Sequence, residues 1–182
     1  GTTLSDKHKI LIGNAENSYS NINTRGILPR LLEQYLHTIS SNENYKHNLT
    51  ISLSYMCVNN AKVIDFSNFM GKEISNLTEK DFMNNAIEIK NNKDIISSIK
   101  KVPTENTNDV VYFINKIINT LIKIDDDSTY HLYSWSHFAF IFYITDNNGK
   151  TVSTITFTIF NGNDNIAPPS TEETKQKVPN TK

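Results

Sequence analysis

One cysteine is all that the 182-residue sequence contains, so no intramolecular disulfide can staple the fold. Cys57 sits in an apolar run and reads as a small buried hydrophobe rather than a nucleophile, which fits a reducing compartment. No apolar stretch approaches the roughly 18 residues that a membrane helix needs, and no N-terminal signal pattern is present, so neither a membrane span nor secretion is supported. The sequons at Asn48 and Asn76 are accordingly expected to be unused. Charge of one sign is also missing. A formal net charge of -1 and a pI near 6.6 give no basic excess to attract nucleic acid.

What is present is patterning on the scale of one ordinary domain. Ile27, Leu28, Leu31, Leu32, Tyr35, Leu36 and Ile39 recur at three and four, one apolar stripe of a helix over 27–39 with Pro29 in its first turn. Leu49 to Val58 alternates and then becomes continuously apolar, a strand half buried at its start and buried at its end. Asn59-Asn60 marks a turn into a partner strand over Lys62 to Phe66. Ser67 to Asn85 is polar and irregular and reads as a long surface loop with one helical turn after Thr78. Ile87 and Ile89 alternate with charged neighbours. A second helix is expected with Asn108 as cap, Asp109 at the positive dipole end, and Val110, Phe113, Ile114, Ile117, Ile118, Leu121 and Ile122 as its apolar face. Phe138 to Ile144 and Val152 to Phe160 are strand-length runs joined by Asp146-Asn147-Asn148-Gly149-Lys150, a hairpin. Strands apolar on both faces imply a sheet covered on each side, hence an α/β class with a mixed sheet. Past Asp164 the composition is that of a disordered tail.

Several segments, in order and at matching distances, resemble the kinesin motor domain. The opening "GTTLSDKHKILIG" aligns without a gap with the family's P-loop stretch "GQTGSGKTYTMMG", keeping Gly1 and Lys7 of the G-x-x-x-x-G-K-[ST] pattern. Gly26-Ile27-Leu28-Pro29-Arg30 resembles the family's "GIIPR", and Ser54-Tyr55, Asn60, Lys62-Val63 and Asp65 match "SYLEIYNEKVYDLL". Lys101-Val102-Pro103 and the helix from Asp109 resemble the approach to switch I. Ser134-Trp135-Ser136-His137 resembles switch I "SSRSH", and Thr154 to Phe160 with Gly162 resembles the run into switch II "DLAGSE". The resemblance covers Gly1 to Asp164. It implies a three-layer, P-loop NTPase-related α/β fold, present in part, with a central mixed sheet flanked by helices and with Val152–Phe160 at its centre. Residues 1–164 would be the central part of a motor-homology domain, and 165–182 a loop or tail of a longer chain.

The same alignment argues against chemistry. Phosphoryl transfer needs backbone N–H groups curled round the phosphates, a hydroxyl on Mg²⁺ and a carboxylate behind the metal. Leu4 and Asp6 replace loop glycines, and Asp6 sets a negative charge beside a polyanion. His8 stands where a hydroxyl should ligate Mg²⁺. Trp135 fills the switch I arginine position and Ile159 the switch II aspartate position, while Asp164 stands where the family has its glutamate. Ser134, Ser136, His137, Gly162 and Asp164 are therefore degenerate remnants like Gly1, Lys7 and His8, and no catalytic, cofactor or metal residue is expected. Ser136 beside His137 reads as a structural turn, Lys7 as solvated, Asp125-Asp126-Asp127 as a solvated loop after the helix, and Phe138, Phe140 and Phe142 as core.

This pattern of losses resembles the non-catalytic motor-homology subunits of yeast heterodimeric kinesin-14. Such a resemblance implies a partner that is a catalytic kinesin-14 chain joined through a coiled coil outside this chain, binding to microtubules (tubulin), and a place on the cytoskeleton at the spindle and spindle pole body, in nucleus or cytoplasm. It implies no cofactor, no nucleic acid and no membrane. The competing reading is a divergent kinesin that still hydrolyses ATP, and a third is a P-loop-derived domain of another family.

Overall fold

The computed structural model describes residues 7–13, 24–89, 95–127 and 132–160. Its frame is an antiparallel ladder between β1 (Leu49–Asn59) and β5 (His137–Asp146), in register from Leu49 opposite Asp146 to Val58 opposite His137. β1 shares its other edge between β2 (Lys62–Asp65), which pairs with its end, and β4 (Val102–Pro103), which pairs with Ser52 and Leu53. β3 (Ala86–Glu88) extends the sheet beyond β2, and β6 (Thr151–Ile159) closes the order β3-β2-β1-β5-β6. The α/β class holds. Every ladder among the described residues is antiparallel, so the mixed sheet expected from the hairpins is an antiparallel one there.

Alternation along β1 sends Ile51, Leu53, Tyr55 and Cys57 into the main core. There they meet Leu11 and Ile12 of α1 (Lys7–Ile12), Leu28 and Leu32 of α2 (Ile27–Ser41), and Val110, Phe113, Ile114, Ile117 and Leu121 of α6 (Thr107–Asp127). Tyr55 stacks on Phe140 at 4.4 Å and 11°, with Phe66 at 4.9 Å on another side. Phe138, Phe140 and Phe142 are buried in this core, as expected. The other face carries a small cluster of Met56, Val63, Ile99, Ile141 and Tyr143, with Ile95 of α5 (Ile95–Ser98) against it and the Lys101 ammonium 4.1 Å from the Tyr143 ring centre. The strand pattern implies helical cover on both faces; among the described residues α1, α2 and α6 all lie on one. No helix among those residues is long and apolar enough to cross a membrane.

Four local expectations change. α6 begins at Thr107 and its cap is Asn106, whose side chain accepts from the Asn108 N–H at 2.8 Å; Asn108 instead accepts from Arg25 at 3.2 Å. Ile122 is exposed while its neighbour Leu121 is buried, so Ile122 lies outside the apolar face of α6. The stretch after β2 is more than a surface loop, since Phe69 of a 3₁₀ turn (Phe66–Phe69), Ile74 beyond it and Phe82 of α4 (Glu79–Met83) drop into the core, α4 being held by a Thr78–Asp81 capping box. β6 stands at one end of the strand order, not the centre. Only Ile155, Phe157 and Ile159 face the core, while Thr154, Thr156 and Thr158 are exposed.

Two constraints tie the helices and loops to this sheet. Gly26 donates to the Ile12 carbonyl at 3.0 Å, and a Cβ there would lie 2.3 Å from Leu11 backbone atoms, so only glycine lets α2 start against the end of α1. Asp65 is a buried knot: its carboxylate accepts from Ser67 N at 2.9 Å, Asn68 Nδ2 at 3.0 Å and Lys100 N at 2.8 Å. Burial raises its pKa, and the hydrogen bonds from Lys100 and Ser67 oppose that rise.

The β1–β2 hairpin turns through two residues, Asn60 at φ 45° and Ala61 at φ 59°. Both central residues of such a turn need positive φ, which asparagine tolerates and alanine resists. Ala61→Gly is expected to raise stability by about 0.5–1 kcal/mol, read as the shift in a urea-unfolding midpoint. An unchanged or lower midpoint means the turn is unstrained.

Candidate functional site

The segments resembling the P-loop and switch I meet at one end of the sheet. α1 starts at Lys7, so its two first residues are the two that the P-loop pattern singles out. Lys7 Nζ donates to the Phe160 carbonyl at 2.6 Å, just past β6, so the lysine is engaged with backbone and is not simply solvated. His8 Nδ1 lies 3.0 Å from the Tyr133 hydroxyl. Its ring also packs 5.2 Å from Tyr133 and, edge-on, 5.2 Å from Phe138 at the start of β5.

The other end of this contact is built from α6. That helix runs on through the three aspartates instead of stopping before them, which overturns the solvated loop expected at Asp125-Asp126-Asp127. Asp125 turns its carboxylate onto the next segment, accepting from the Tyr133 N–H at 2.9 Å and the Ser134 N–H at 2.7 Å, one oxygen to each. Such charge-assisted bonds are the strong kind, and they tie the backbone at Tyr133 and Ser134 to α6. Trp135 in the arginine position is 47% exposed.

Ser136 and His137 do not face one another. Ser136 is buried and its hydroxyl oxygen accepts from Asn59 Nδ2 at 3.0 Å. Burial pushes the Cys57 thiol up to about 12, which leaves it inert at neutral pH. The His137 ring meets Phe160 at 5.5 Å. Serine and histidine are thus spent on different partners. Gly1, Leu4, Asp6, Gly162 and Asp164 lie outside the described residues.

Sequence reasoning missed Tyr133 and the reach of Asp125. Extending the "SSRSH" alignment one residue toward the N-terminus puts Tyr133 at its first serine, a signal that was there to read. Nothing in the spacing forecast Asp125, whose role depends on α6 continuing one more turn.

Chemically the constellation is self-contained. An imidazole and a phenol hydrogen-bond each other, and His8 Nε2 is sealed from solvent without a partner. Among the described residues no group of three or more His, Cys, Asp or Glu side chains is placed to hold a metal. A cavity of about 660 Å³ lies elsewhere, between α2 and the start of α6, and is lined by Arg25, Glu33, His37, Lys46 and Asn108 among others.

No protein-family model matches the sequence. No curated protein matches it either. A solved structure does: that of a fast kinesin, described for its ATPase mechanism and its interactions with microtubules, superimposes with a TM-score of 0.59 at 17% identity. The match covers 94% of this chain and 46% of the kinesin, so the chain spans about half the length of that structure. The chain shares the fold of that half of a kinesin motor domain.

Burial at the site has two measurable consequences. Ile159, opposite Phe138 in the ladder, is 5% exposed and belongs to the main core. Ile159→Asp is therefore expected to cost roughly 2–4 kcal/mol, seen as a lower melting temperature, because the carboxylate would be unpaired among apolar side chains. A variant melting with the parent would mean that this position faces water.

The second consequence concerns pH. Burial, and secondarily the Lys7 charge, lowers the His8 pKa to about 4 from an unfolded value near 6.5. The folded state thus resists protonation: its full stability is present above pH ~6.5 and is lost as pH falls toward ~4, by about 3 kcal/mol in all. His8→Gln keeps a polar neighbour for Tyr133 without titrating. Its unfolding free energy is expected to depend less on pH across that window than the parent's, and parallel curves would contradict the buried histidine. Comparing the two chains removes Asp65, whose raised pKa acts in the opposite direction in both.

Proposed function

We propose that this chain is the central part, residues 1–164, of a kinesin-like motor-homology domain that binds microtubules without hydrolysing ATP. In this reading it is the non-catalytic subunit of a heterodimeric kinesin-14, paired with a catalytic chain through a coiled coil outside this chain and acting on the cytoskeleton at the spindle and its poles. The carrying observation is the His8–Tyr133 hydrogen bond. Where the resemblance calls for hydroxyls around Mg²⁺, two bulky rings bond each other instead, and an imidazole is a poor ligand for a hard cation. The Lys7 contact with the Phe160 carbonyl and the burial of Ile159 support it. Residues 165–182 belong to this proposal as a tail.

The competing reading, a divergent motor that still turns over ATP, draws on the fold shared with the fast kinesin. Calorimetric titration of Mg·ATP and Mg·ADP into the full-length protein separates the two. We expect a flat titration, and micromolar affinity would exclude the non-catalytic reading. His8→Thr alone is expected to leave microtubule-stimulated turnover undetectable, because groups that act as one unit are not restored singly. Turnover from that variant would show that the rest of the site is intact.

A further inference from the structure

Residues 132–136 are the described part of the connection that leads from α6 into β5, and connecting segments of this kind sit at the low end of local stability. Here it is held at both sides. Its backbone is clamped at Tyr133 and Ser134 by the Asp125 carboxylate at 2.9 and 2.7 Å. Its Tyr133 side chain reaches His8 on α1, 125 residues away in sequence, at 3.0 Å. The following Ser136 is pinned by Asn59 at the end of β1. These contacts come from three separate elements of the chain, α6, α1 and β1.

Resting on the non-catalytic reading above, we propose that the Asp125 clamp and the His8–Tyr133 hydrogen bond form a ligand-free latch that holds segment 132–136 closed on α1. A loop that closes only on a bound ligand draws its stability from that ligand's differential affinity for the closed state. This one draws it from two side chains of the protein. The aromatic contacts of Tyr133 with His8 at 5.2 Å and Phe138 at 5.9 Å make the closed position a packed one as well as a hydrogen-bonded one. Tyr133 and Asp125 act as positioning residues, and no reacting atom is assigned to either.

Hydrogen exchange of the Tyr133 and Ser134 amides in the full chain tests the latch, with the amides of Leu53 and Phe142 in the β1–β5 ladder reporting that each variant is folded. Tyr133→Phe is expected to speed exchange of the segment about tenfold, and Asp125→Asn at least as much. His8→Leu should act through the same bond, so the His8→Leu/Tyr133→Phe double variant should exchange no faster than the faster single one. Exchange within twofold of the parent in both Tyr133→Phe and Asp125→Asn, or multiplying effects in the double variant, would overturn the latch. Adding Mg·ATP to the parent chain is expected to change nothing. Slower exchange on that addition would overturn the non-catalytic reading while leaving the effect of Tyr133→Phe to judge the latch separately.

Discussion

The β1–β5 ladder is the constraint on which the rest depends. Its long register from Leu49/Asp146 to Val58/His137 fixes which faces of both strands point inward, since a slip of one residue would turn every core side chain outward. With that register set, Tyr55 stacks on Phe140, and the aromatic cluster with Phe66 and Phe138 gives α6 a surface to lie on. The ladder also decides where the candidate site is built. Its one end places Asn59 beside Ser136 and starts β5 at His137, so the segment before β5 is anchored at its far end by the Ser136 hydroxyl.

The helices and strands were legible because their signals are periodic and local. α2 and α6 carry three-and-four spacing, β1 and β5 are long and β-branched or aromatic, and the Asn-Asn-Gly turn announces its hairpin. What failed to show depends on depth or on distance. Phe69, Ile74 and Phe82 sit in a polar stretch whose average hid three core side chains. Thr154, Thr156 and Thr158 lie in a strand apolar enough to pass for one buried on both faces, though β6 stands at one end of the strand order among the described residues. The cap of α6 moved by two residues, from Asn108 to Asn106, because two nearby asparagines are equivalent by type and only the backbone tells them apart.

The site was half legible in the same sense. Losses such as His8 and Ile159 are visible by comparison with a pattern, because a pattern states what should stand at each position. Gains are not. Tyr133 and Asp125 carry contacts that no pattern position names, and a contact between residues 8 and 133 leaves no trace in the spacing of either. The burial of Ile159 belongs with the losses: an apolar residue in place of an acid argues against charge at that position, and its 5% exposure agrees with that argument.

One local compromise of this molecule lies at the site. His8 keeps a nitrogen buried without a partner, a cost of about 1–3 kcal/mol that a fold accepts only where something else offsets it. Packing against Tyr133 and Phe138 is the visible offset, since both rings contact the imidazole from different sides. Tyr55 presents a similar case deeper in the core, its hydroxyl unpaired at 0% exposure and its ring stacked on Phe140. The two differ in consequence. A phenol buried in a strand ladder has no alternative position, whereas a histidine at the start of a six-residue helix would be solvated if α1 frayed. That His8 stays packed therefore says that the contacts it makes across the chain outweigh both the orphaned nitrogen and the weak hold of a short helix. The stability of the site is tertiary, supplied by α6 and β5, and not a property of the loop from which the sequence pattern begins.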